Sequence, residues 1–103
     1  MKPLKITFYV DRNLKMSHVK DHGLSEASIF SFFEQGRYFT FERKDKVLES
    51  FGIAVLENEI EIVLKVVYRK ISKDHLFVIT AWEIDDKVEA DLIMKELDSW
   101  ENQ

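Results

Sequence analysis

Apolar and polar side chains alternate through Leu4-Lys5-Ile6-Thr7-Phe8-Tyr9-Val10, and the β-branched and aromatic content makes this a first strand. Asp11 stands where its carboxylate would cap a following helix. Arg12 to His22 then reads as a short polar helix, stopped by Gly23, which accepts the left-handed conformation past a helix end. Ser25 is a second cap, and Ile29, Phe30, Phe32 and Phe33 form the apolar side of a helix that ends near Gly36. Three phenylalanines in four positions exceed one narrow stripe, so this helix is expected to be buried widely.

After Gly36 the period shortens to two. Tyr38 to Phe41 reads as a strand, Glu42-Arg43-Lys44-Asp45-Lys46 as a charged turn, and Val47 to Leu56 as a second extended stretch. Gly52 marks a bulge or a close backbone approach within it. Beyond the turn Glu57-Asn58-Glu59, Ile60, Ile62, Leu64, Val66 and Tyr68 alternate with Glu61, Val63, Lys65, Val67 and Arg69, the clearest strand in the chain. Ser72-Lys73-Asp74 turns into a last strand over Leu76 to Trp82. Asp85 to Trp100 is a closing helix, with Val88, Leu92, Ile93, Met94, Leu97 and Trp100 as its apolar side and Asp85 and Asp86 at its positive end. The pattern predicts one α+β domain over residues 1–103. It comprises an antiparallel sheet of about four to five strands, two N-terminal helices and one C-terminal helix.

Composition narrows the chemistry. The 103 residues include no cysteine, which removes disulfide frameworks, thiol nucleophiles and cysteine–zinc sites. No apolar run approaches the roughly 20 residues that span a bilayer, and Met1 to Val10 lacks the apolar core of a signal peptide. A cytoplasmic protein without a membrane partner is expected. The net charge of −4 weighs against RNA, whose binders usually present a basic face. No Gly-rich phosphate loop, Ser–His–Asp pattern or dinucleotide fingerprint is present, and no cofactor is expected.

Phe8-Tyr9-Val10-Asp11, followed eleven residues after Asp11 by His22-Gly23-Leu24-Ser25, resembles the opening of BrnT-type bacterial toxins and their relatives. Phe77-Val78-Ile79-Thr80-Ala81-Trp82 resembles that family's last strand, so the likeness runs over residues 6 to 84. It implies a RelE/ParE-like fold with a curled sheet, a toxin–antitoxin pairing with a protein antitoxin, and metal-independent endoribonuclease activity. Asp21 stands where the family carries a lysine before the histidine, and Trp82 where it carries an arginine. Those two positions, with the acidic balance, suit an alternative: a non-enzymatic protein-interaction module on the same fold, or a homodimer formed by strand addition.

Five residues are the candidate site. His18 and His22 are one helical turn apart, and imidazole titrates near neutrality, so either could take a proton from a ribose 2′-hydroxyl. Their spacing lacks the Glu of a zinc-protease motif, and only Asp11 or His75 stands as a third ligand, so no metal site is expected. Arg43, Lys65 and Arg69 would stabilise charge on the scissile phosphate. The plainer readings are a helix-terminal histidine and basic side chains that solvate turns among Glu42, Asp45, Glu59 and Glu61.

Overall fold

The structure is a computed structural model that describes residues 4–11, 16–17, 24–56 and 58–101. Its elements are β1 (Lys5–Phe8), β2 (Val10–Asp11), β3 (Met16–Ser17), α1 (Glu26–Gln35), β4 (Tyr38–Glu42), β5 (Val47–Val55), β6 (Glu61–Ser72), β7 (His75–Glu83) and α2 (Lys87–Glu101). Five strands form one open sheet in the order β1-β7-β6-β5-β4, and β2 pairs with β3 apart from it.

α1 begins and ends as its sequence requires. Ser25 caps it, its Oγ accepting from Ser28 N at 3.2 Å, and Gly36 closes it in the left-handed region at φ 68°. Ile29, Phe32 and Phe33 are buried against one sheet face, while Phe30 points out beside Phe8. That face receives the helix because β5 alternates Ser50, Gly52 and Ala54 beneath it with Phe51 and Ile53 on the other side. Small residues leave depth for the phenylalanine rings, and Phe32 is fully buried there. On this face Leu64, Val66 and Tyr68 of β6 and Leu76, Val78 and Ala81 of β7 complete the main core. α2 covers part of the opposite face, where Ile93 and Leu97 pack with Phe39, Ile53 and Ile84. Asp86 starts α2 by accepting from Glu89 N at 2.9 Å.

The turn between β4 and β5 is tight. Asp45 and Lys46 both have φ 63°, and Val47 N donates to Lys44 O. This is the mirror-image turn whose twist suits a hairpin, built here without glycine.

Three expectations are corrected. The sheet is mixed, because β1 pairs parallel with β7 (Lys5↔His75 to Phe8↔Val78) while the other ladders are antiparallel. Local alternation in β1 carries no information about its direction against a strand so distant in sequence. The helix expected over Arg12 to His22 is contradicted at Met16–Ser17, which are extended and pair antiparallel with Val10–Asp11; Asp11 is in that ladder rather than at a helix cap. An eleven-residue polar segment has little apolar surface to bury, and isolated helices that short are marginal. The rest of the segment lies outside the described residues, which contain two α-helices rather than three. Val88, Leu92 and Trp100, expected on the buried side of the last helix, are more than half exposed, because Ile93 and Leu97, with Ala90 and Met94 beside them, take the packing against the sheet.

Candidate functional site

The sheet register explains which side chains meet on the α2 side. Phe39, Phe51, Lys65 and Trp82 lie in one cross-strand row, and Phe41, Glu49, Val67 and Thr80 lie in the next. Val47, Arg69 and Phe77 form a third row. α2 packs over the first row at Phe39, Phe51 and Trp82. Toward the third row a groove of about 640 Å3 opens, lined by Arg43, Lys44, Asp45, Val47, Val67 and Ile79.

Lys65 is the centre of this arrangement. Its row neighbours flank it, so its Nζ sits 4.8 Å from the Trp82 ring centroid and 5.4 Å from that of Phe51. Such contacts are worth about 0.5–2 kcal/mol. Glu49, on the diagonal, reaches Lys65 Nζ at 3.2 Å and Arg43 Nη1 at 3.1 Å through the same Oε1. Glu49 and Lys65 are mostly shielded from solvent, whereas Arg43 is exposed. One carboxylate therefore gathers two cations and leaves the trio with a net positive charge. Arg69 stands exposed on the same face, opposite Val47.

β7 carries a bulge here. Val67 pairs with Thr80 and Tyr68 with Val78, so Ile79 is the extra residue. Ile79 turns toward the groove, and Thr80 Oγ1 is left buried with no hydrogen-bond partner among the described residues. Bulges redirect side chains in this way and are common beside functional sites. At the far end of the face, His75 Nε2 lies 2.9 Å from Thr7 Oγ1 and ties β7 to β1.

A second polar cluster lies on the α1 side. Ser50 Oγ is 2.7 Å from Thr40 Oγ1 and 2.8 Å from the Tyr68 hydroxyl, a chain of hydroxyls through a fully buried serine. Tyr38, stacked on Phe32 at 4.9 Å, has its pKa raised by burial and then by the neighbouring Tyr68. A cavity of about 320 Å3 opens beside them, with Lys70 and Lys73 in its wall.

Of the five residues proposed from sequence, Arg43, Lys65 and Arg69 share one face of the sheet, and Glu49 joins the first two directly. His18 and His22 lie outside the described residues. Among the described residues no group of three or more His, Asp or Glu side chains could hold a metal ion. Sequence reasoning missed Glu49, Phe51 and Thr80. Alternation along β5 puts Glu49 on the face of Phe51 and Ile53, but its meeting with Lys65 depends on a pairing register that one strand does not reveal. No protein-family model, curated protein or solved structure matches the chain.

Proposed function

We propose that this chain is a BrnT-like toxin component of a bacterial toxin–antitoxin pair, acting in the cytoplasm on RNA through a RelE/ParE-like sheet. The observation that carries the reading is the placement of Arg43, Lys65 and Arg69 on one face of the sheet, with Phe77 in the row of Arg69. Cations hold phosphates and aromatic faces accept unstacked bases, which is what a single strand offers. The sequence likeness supplies the toxin family.

In this reading His18 or His22 removes the proton from a ribose 2′-hydroxyl, and that oxygen attacks the adjacent phosphorus. The departing 5′-oxygen takes its proton from the histidinium so formed, giving a 2′,3′-cyclic phosphate. Lys65, with Arg43 or Arg69, stabilises the extra negative charge of the phosphorane. Glu49 keeps Lys65 and Arg43 together until a phosphate competes for them. A partly shielded pair of this kind is worth only about 1 kcal/mol, so the exchange costs little.

A second reading, a non-enzymatic interaction module, is favoured by that same carboxylate: Glu49 already neutralises one of the cations, and the whole chain is acidic. Induced expression separates the two. Growth arrest, cyclic-phosphate RNA ends and loss of both in Lys65→Met and in His18→Ala/His22→Ala support the toxin. A soluble wild type that neither slows growth nor cuts RNA refutes it and leaves the module.

A further inference from the structure

β4 ends the sheet, so one side of its backbone has no strand partner among the described residues. Such an edge is a template for strand addition unless charge, proline or a covering element blocks it. Tyr38–Glu42 has charge only at its last residue, and its outer side chain Phe41 is 53% exposed. α2 lies across the neighbouring face and brings its own apolar residues to the same margin. Leu92 is 61% exposed, and Trp100 stacks on Phe39 at 6.2 Å.

Phe39, Phe41, Phe51, Leu92 and Ile93 together line a groove of about 420 Å3 between edge strand and helix. Its polar rim is acidic: Glu89 and Glu96 are in its wall, and Glu96 also accepts from Trp100 Nε1 at 3.0 Å. Along α2, Glu89, Asp91, Glu96, Asp98 and Glu101 outnumber Lys87 and Lys95. Contiguous exposed apolar residues beside an open edge mark an interaction surface. The charge then selects the occupant. A second copy of this chain docked edge to edge would set one acidic helix against another, which is repulsive. A basic segment would not meet that penalty.

We propose that the β4–α2 groove docks a basic polypeptide segment of another protein, added as a strand alongside β4. Its apolar side chains on the α2 side pack against Phe41 and Leu92, and its lysines or arginines reach Glu89 and Glu96. Strand addition of this kind draws affinity from main-chain hydrogen bonds and specificity from alternate side chains. The proposal does not depend on chemistry at Lys65.

The test uses the full chain and a fluorescein-labelled twelve-residue peptide of alternating lysine and valine, read by anisotropy. A matched glutamate–valine peptide is the control. The lysine peptide binds saturably, and Leu92→Ser or Glu89→Lys/Glu96→Lys weakens it at least about tenfold, equivalent to about 1.4 kcal/mol. Glu34→Lys, an exposed change on α1, leaves binding unaltered, and unchanged circular dichroism shows that each variant is folded. Backbone N-methylation of the peptide at alternate residues abolishes binding. Equal binding of the two peptides, indifference to Leu92→Ser, or full affinity of the N-methylated peptide overturns the proposal. A dimer seen by light scattering and dispersed by Leu92→Ser also overturns it, by giving the groove to a second copy.

Discussion

Replacing Gly52 by alanine tests how firmly the edge of the sheet is built. Gly52 lies in mid-β5 between Tyr38 on β4 and Leu64 on β6. An added Cβ would run into the Arg37 carbonyl oxygen and lie 2.5 Å from Tyr38 Cβ and 2.7 Å from Tyr38 Cα. Carbon atoms settle near about 3.5–4 Å, so the Arg37–Tyr38 backbone must retreat by about 1 Å. It is not free to do so. Ile53 N donates to Arg37 O at 3.1 Å, and the Tyr38 ring is stacked on buried Phe32. Overpacking costs about 1–3 kcal/mol and a strained hydrogen bond about 1 more, a total of about 2–4 kcal/mol. For a domain of this size that lowers Tm by roughly 10–25 °C, measured by thermal denaturation with circular dichroism. Gly36→Ala is the comparison: Gly36 has φ 68° but nothing within 4 Å of its added Cβ, so only backbone strain of about 1 kcal/mol applies. If Gly52→Ala is no less stable than Gly36→Ala, β4 yields freely and the reasoning fails.

Lys46→Gly should stabilise the chain by about 1 kcal/mol, since Lys46 holds φ 63° in the β4–β5 turn; an unchanged urea midpoint would contradict this. Ser50→Ala should cost about 1–2 kcal/mol in the same assay, because the buried Tyr68 hydroxyl loses its partner. Burial raises the folded pKa of Tyr38 above the ordinary 10.0, so its contribution is fully present below that value. It is lost as pH rises through the folded pKa, because the unfolded chain releases its proton first. Stability of the wild type should therefore fall above pH 10.0, and Tyr38→Phe should fall less steeply. Parallel curves would remove Tyr38 as the cause.

Where a short-range pattern decides an element, the sequence was sufficient. Ser25 and Gly36 bound α1, the charged run at 42–46 makes the turn, and the alternation from Ile62 to Tyr68 sets the buried face of β6. Gly52 was readable as a place of close approach, though not what approaches it. Relations between strands were not readable. Nothing within Leu4 to Val10 says that β1 runs parallel to β7, and nothing within Arg12 to His22 announces the small β2–β3 ladder. The site divides in the same way. Arg43, Lys65 and Arg69 could be named from residue type, whereas their common dependence on Glu49 and the position of Lys65 between two rings follow from register. The apolar side of α2 was overcounted, because periodicity finds every apolar flank but not the width of the surface that receives it.

The parallel pairing of β1 sets an order of events as well as a shape. Thr7 meets His75 across 68 positions of sequence, while β4 to β7 pair each with the next across short turns. At a synthesis rate of about 5–20 residues per second, β1 waits roughly 3–14 seconds for its partner to be made. Through that interval Ile6 and Phe8, which later pack into the main core, have no β7 to pair with. Of the strands in this sheet, the one made first is paired with the one made last.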